Sequence, residues 1–285
     1  MMTKREYAEM IANLINESED FEGVRAETKE VSKANGVKLI GIVLTEEGSN
    51  VSPTIYVDEM YDSDMNVEDA VDEVMRAYYK GRLDGSLNLD WLTDYEQAKG
   101  KLVACLYNAS NADAFPVNRS AKRYGFEDLI ITARVKVNLP TGQGSVLVKP
   151  ELLDRWGVTK SVVIDQALRN VSKDFSIKSM AQVMAEMMGC DIDDLPIPSD
   201  EMLYVLTNRE KIHGAIAAIA ARKELAKRFP NGYTVLPSSI HEVLIVPYID
   251  NSEGFSSMVQ DVNNECVDAQ EVLGNHAYVI GGVVA

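Results

Sequence analysis

Apolar residues near the start of the chain recur at helical spacing. Tyr7, Met10, Ile11, Leu14 and Ile15 share one face of a 3.6-residue period. Thr3 and Glu6 precede them as a capping box, each able to satisfy an orphan backbone donor of the first turn, so the pattern predicts an amphipathic helix. The period then shortens. The runs from Val24 to Val31 and from Val37 to Leu44 read as antiparallel strands joined through Asn35-Gly36, a dipeptide that tolerates positive φ at both positions. A third strand covers Thr54 to Val57. Asn66 then caps a helix with Val67, Val71, Val74 and Tyr78 on one side. The spacing of Tyr95, Ala98, Leu102 and Cys105 predicts another helix, capped by Asp90, and the polar stretch from Ser110 to Tyr124 reads as a loop.

Alternation returns in "FEDLIITARVKVNL", where Ile131, Ala133, Val135 and Val137 oppose Thr132, Arg134, Lys136 and Asn138. "PTGQG" turns this strand into "SVLVKP". From Glu151 the pattern is helical, with Val163, Ile164, Ala167, Leu168 and Val171 forming a stripe. Ser179 and Gln182 make a second capping box, heading a helix whose apolar face is Met180, Val183, Met184, Met187 and Met188. "GCDIDDLPIPSDE" reads as a linker or surface loop. "MLYVLTN" is a short strand. In "GAIAAIAARKELAKRF" alanine favours helix, but Gly214 to Ile219 also reads as a strand entering a helix from Ala221. "YTVL" and "EVLIVP" are strands on either side of "PSSIH". A helix bearing Phe255, Met258, Val259 and Val262 and a last strand, "HAYVI", complete the chain. Hairpins with flanking amphipathic helices, without regular βα alternation, predict an α+β fold with mainly antiparallel sheets.

The composition of the 285 residues, 46% hydrophobic and 25% charged, suits a packed core. The 44 acidic and 28 basic residues give a formal charge of -16, which argues against direct nucleic-acid binding and against an anionic membrane surface. The same surplus serves solubility or docking on a basic partner. Cys105, Cys190 and Cys266 form neither a disulfide framework nor a zinc pattern. No apolar run approaches the roughly 20 residues of a membrane span, and the first residues lack the apolar core of a signal peptide. The chain reads as cytoplasmic.

Candidate chemistry is sparse. His241-Glu242 opens like a zinc-binding helix motif, but Ile245 stands where the second histidine belongs, and "EVLIVP" is a strand pattern. Gly142 and Gly144 lead into a strand, whereas a phosphate cradle leads into a helix. No cofactor or metal site is expected. Ser238, Ser239 and His241 offer a nucleophile and a base close in sequence, without the elbow motif that exposes a catalytic serine. The turn-forming habits of Pro237, Ser238 and Ser239 fit a hairpin corner equally well. The face of Met180, Met184, Met187 and Met188 suits core packing or an adaptable partner surface.

"LYVLTN" (Leu203 to Asn208), the Gly214-Ala215 step and above all "PSSIHEVLIVP" (Pro237 to Pro247) resemble an uncharacterised bacterial family, domain-of-unknown-function family 5688, frequent in gut Firmicutes and their mobile elements. "NGVKLIGIVL", "VSPTIYVDEMYD" and "LLDRWGVT" extend the resemblance upstream. It implies one family unit over 1–285, and it tilts Gly214 to Ile219 toward strand; sub-lobes at 1–150 and 151–285 are a separate expectation within that unit. It supplies no activity and no catalytic residue. Three readings follow. The first is a non-catalytic cytoplasmic protein acting through protein–protein contact, encoded on a mobile element. The second is a hydrolase using Ser238 or Ser239 with His241. The third is an acidic nucleic-acid mimic that inhibits a DNA-binding or defence enzyme.

Overall fold

The computed structural model describes residues 2–82, 86–140, 142–195 and 202–281. The chain forms an α+β fold whose sheets are antiparallel, and it divides into two compact units. Unit 1 comprises 1–90 with 138–143, and unit 2 comprises 91–137 with 144–285.

Unit 1 contains α1 (Lys4–Glu17), β1 (Val24–Ser32), β2 (Lys38–Glu46), β3 (Thr54–Tyr56), α2 (Asp58–Asp62) and α3 (Val67–Gly81). The Thr3–Glu6 capping box forms, and Asn66 caps α3 by accepting the Asp69 N–H. β1 and β2 pair around Asn35 and Gly36, both at positive φ, and β3 extends the sheet in the order β1-β2-β3. The core joins Ile11 and Ile15 of α1, Ile42 and Leu44 of β2, and Val74 and Tyr78 of α3. The expected stripe of α1 is corrected in part. Tyr7, Ile11 and Ile15 are buried with Ala8 and Ala12, while Met10 and Leu14 are exposed. Asn16 reaches from α1 to β1, donating to the Ala26 carbonyl and accepting the Ala26 N–H, both at 2.9 Å.

Unit 2 opens with the short α4 (Tyr95–Ala98), capped by Asp94, and β4 (Leu102–Asn108). This corrects the helix expected through Cys105. "LVACLYN" is a strand buried along most of its length, so it shows no alternation, and its apolar residues mimic a helical stripe. β5 (Asn118–Ser120) lies within the expected loop. β6 (Leu129–Leu139) pairs with β4 and β5, and β7 (Gly142–Leu147) also pairs with β6. After α5 (Pro150–Trp156) and α6 (Lys160–Val171), a five-stranded sheet begins with β8 (Ser176–Ser179), which leads directly into α7 (Met180–Met188). It continues with β9 (Tyr204–Thr207). The segment Gly214–Ile216 is a 3-10 turn running into α8 (Ala217–Ala220) and α9 (Arg222–Arg228), so the strand implied by the resemblance is overturned. Its alanines have high helix propensity, and their small side chains are buried. β10 (Tyr233–Leu236) and β11 (Glu242–Pro247) form the expected hairpin, followed by α10 (Ser252–Cys266) and β12 (Tyr278–Ile280). The strand order is β12-β10-β11-β9-β8. On α10, Val259 is buried with Asn263, while Met258 and Val262 face outward.

The expected linker is described only to Leu195. There it makes a 3-10 turn, Ile192–Asp194, and buries Leu195 against Ala181 and Ala185. Residues 196–201 of that segment lie outside the described residues. Among the described residues, no helix is long and apolar enough to cross a membrane.

Candidate functional site

The corner "PSSIH" lies where β10 turns into β11. Ser239 shapes it twice. Its N–H donates to the Glu242 carbonyl at 3.1 Å, and its hydroxyl oxygen accepts the His241 N–H at 3.0 Å. Beside the corner, β9 ends at the buried Thr207, and the buried Asn208 follows it. The Asn208 side chain closes the following loop, donating to the Ile212 carbonyl at 2.8 Å and accepting the Ile212 N–H at 3.2 Å. Lys211 and His213 then take left-handed backbone conformations, φ 56° and 49°. Such values are uncommon outside glycine and mark a constrained loop. Gly214 follows because nothing larger fits. A Cβ there would stand 2.3 Å from the His241 carbonyl oxygen and 2.8 Å from the Asn208 nitrogen.

This loop brings the His213 ring face to face with the His241 ring, 5.7 Å between centroids and 20° between planes. The His213 N–H donates to His241 Nδ1 at 3.2 Å. An accepting Nδ1 places the His241 proton on Nε2, which faces Glu271 Oε1 at 3.3 Å. On the other side, His213 Nδ1 is 3.4 Å from the Tyr107 hydroxyl of β4. Burial, with the Arg134 guanidinium and His241 nearby, pulls His213 down to about 4, so it is neutral at physiological pH. Burial raises the Tyr107 phenol well above its ordinary range and keeps it a proton donor. Cys105, two residues along β4, is pushed up to about 12 by burial and serves as a small core hydrophobe.

The expected Ser–His pairing therefore takes a different form. Both imidazole nitrogens of His241 are engaged, one by a backbone donor and one by a carboxylate. Among the described residues, no hydrogen bond joins the hydroxyl of Ser238 or Ser239 to that ring, and His241 is half-buried, 32% exposed in its side chain. The groups that make up its cluster, His213 and Glu271 beside it and Tyr107 beyond His213, come from distant parts of the chain and carry no spacing signal in the sequence. Also among the described residues, no group of three or more His, Cys, Asp or Glu side chains is placed to hold a metal ion.

The methionine helix differs from expectation in another way. Its capping box forms, and Gly189 ends it at φ 66°. The buried face belongs to Ala181 and Ala185, which carry Leu195. Small side chains let that face lie close to its neighbours, and the larger ones are turned outward. Met187 is 82% exposed and Met188 66%, Met184 is at the exposed margin, and Met180 is half-buried. Core packing is thus excluded for Met187 and Met188.

Comparison with known proteins adds a family and no activity. No curated protein and no solved structure matches the chain. A family model matches residues 4–280, covering the hairpin of unit 1, the histidine corner and the methionine helix, and the chain belongs to the family of unknown function DUF5688.

Proposed function

We propose that this chain acts without catalysis, by contact with a partner protein, and that the outer face of α7 is a contact surface. The outward methionines carry the reading. Met187 and Met188 expose apolar side chains on a helix that has satisfied its own core through alanine. Methionine is flexible and polarizable, so such a face adapts to an apolar partner surface. Site-specific replacement of Met187 by a photo-crosslinking residue, with irradiation in the producing cell, tests it. The expected product is one recurrent heterologous adduct, lost when Met184 and Met188 are changed to Gln. Adducts scattered over abundant proteins, or none at all, would overturn the reading.

The hydrolase alternative has a base and an orienting carboxylate in His241 and Glu271. The donor on Nδ1 leaves that base no ring nitrogen for a serine, which ranks it second. Covalent labelling of Ser238 or Ser239 by a fluorophosphonate would reverse the order.

A further inference from the structure

Unit 1 has a surface feature that the methionine helix does not explain. A groove of about 880 Å³ lies along the outer side of α1 and the turn between α2 and α3. Its floor is apolar. Met10 and Leu14, one helical turn apart on α1, are 44% and 39% exposed. Tyr7 and Tyr61 are held in place beneath and beside them. The Tyr7 hydroxyl donates to the Met65 carbonyl at 2.9 Å, and the Tyr61 hydroxyl to the Met2 carbonyl at 2.5 Å.

The rim is acidic, with Asp62, Asp64 and Glu68 among the lining residues. Asp62 already shows what this rim accepts. Lys4 Nζ lies 3.2 Å from it, 3.1 Å from Asp58 and 5.7 Å from the centre of the Tyr61 ring, a cation held by carboxylates and an aromatic face. Asp64 and Glu68 have no Lys or Arg in ion-pair contact among the described residues. The surroundings reinforce the sign, since residues 1–90 contain 20 acidic and nine basic side chains.

We infer that this groove binds a basic amphipathic segment of a partner protein. Apolar side chains of the segment rest on Met10 and Leu14, and its lysines or arginines meet Asp64 and Glu68. Each part answers a part of the groove, in the way amphipathic helices use apolar anchors for affinity and charge for orientation. A second copy of this chain is the weaker occupant, because it would bring like charge to an acidic rim. Nucleic acid is disfavoured on the same ground.

The test uses the full chain and fluorescence anisotropy. One probe is a labelled Leu/Lys peptide of about four helical turns with its lysines on one face. The other is a Leu/Glu peptide of the same pattern. Saturable binding of the Leu/Lys peptide alone is expected. Changing Met10 and Leu14 together to Gln should weaken it about tenfold at low and high salt, since both side chains are exposed and the change removes apolar contact. Changing Asp64→Asn with Glu68→Gln should weaken it about tenfold at low salt and less at high salt. Asn suits the left-handed backbone of Asp64, so that variant keeps its fold. The control, Glu19→Gln with Glu22→Gln, removes the same charge elsewhere in unit 1 and should weaken binding less than about twofold. Equal loss in the control, equal binding of the Leu/Glu peptide, or no saturable binding would overturn the inference. So would self-association that Leu14→Gln abolishes, which would name a second copy as the occupant.

Discussion

The two units solve different problems with the same kinds of element. Unit 1 holds 20 acidic and nine basic residues, whereas unit 2 holds 24 and 19 in about twice the length. Unit 1 has one core made by neighbouring elements, and its unusual chemistry is on the outside. Unit 2 draws residues as far apart as Tyr107 and Glu271 into a polar cluster around two stacked histidines. A charge surplus on a surface costs little, because water screens it. A polar cluster under partial burial has to be satisfied group by group. The histidine corner meets that requirement through a strained loop, and unit 1 needs no such loop in its core.

This contrast can be broken or sharpened by substitution. The largest effect is expected at Gly214. Gly214→Ala places a Cβ against the His241 carbonyl and should cost about 3–4 kcal/mol, read as lost amide protection in β9, β10 and β11 by hydrogen exchange. The same measurement on β1 and β2 is the control. An equal loss there would merge the two units into one cooperative unit.

Acid comes next. His213 has a native pKa of about 4 against an ordinary value of 6.5, so between these limits the unfolded chain binds more protons than the folded one. Its contribution to stability is complete above pH 6.5 and declines as pH falls toward 4, by on the order of 2–3 kcal/mol. Denaturant titrations from pH 7 to pH 4 should show this decline, and His213→Asn should flatten it while keeping the left-handed backbone. A decline unchanged in that variant would place the acid sensitivity elsewhere.

Asn16→Ala removes two hydrogen bonds to Ala26 and should destabilise unit 1 by about 1–2 kcal/mol, measured by chemical denaturation. The smallest effect is expected on α7. Met187→Gln with Met188→Gln should shift stability by no more than about 0.5 kcal/mol, since both side chains are exposed. A large loss would mean that the methionine face is structural.

Legibility in the sequence follows the same division. In unit 1 the capping box at Thr3, the Asn35-Gly36 turn and the Asn66 cap are local devices, and each works where the pattern placed it. In unit 2, β4 was hidden because a strand buried on both sides does not alternate. The α8 segment was pulled toward strand by family likeness, against the propensity of its own alanines. The histidine cluster was illegible for a deeper reason. Sheet pairing and a closed loop bring Tyr107, His213, His241 and Glu271 together, and neither leaves a spacing. The helix faces show one recurrent bias. On α1 and α7 the bulky apolar residues suggested the core side, but alanines form much of the buried surface, and Met10, Leu14, Met187 and Met188 are left for other uses.

Asn16 has a consequence beyond stability. β1 is an edge strand of nine residues, and such an edge invites another strand to pair with it and begin aggregation. By occupying both backbone groups of Ala26, Asn16 removes one complete pairing position from that edge. The charged side chains of Glu27, Lys29 and Glu30 discourage an incoming strand beyond it. One amide side chain thus acts as a gatekeeper at the edge, closing one pairing position to any incoming strand.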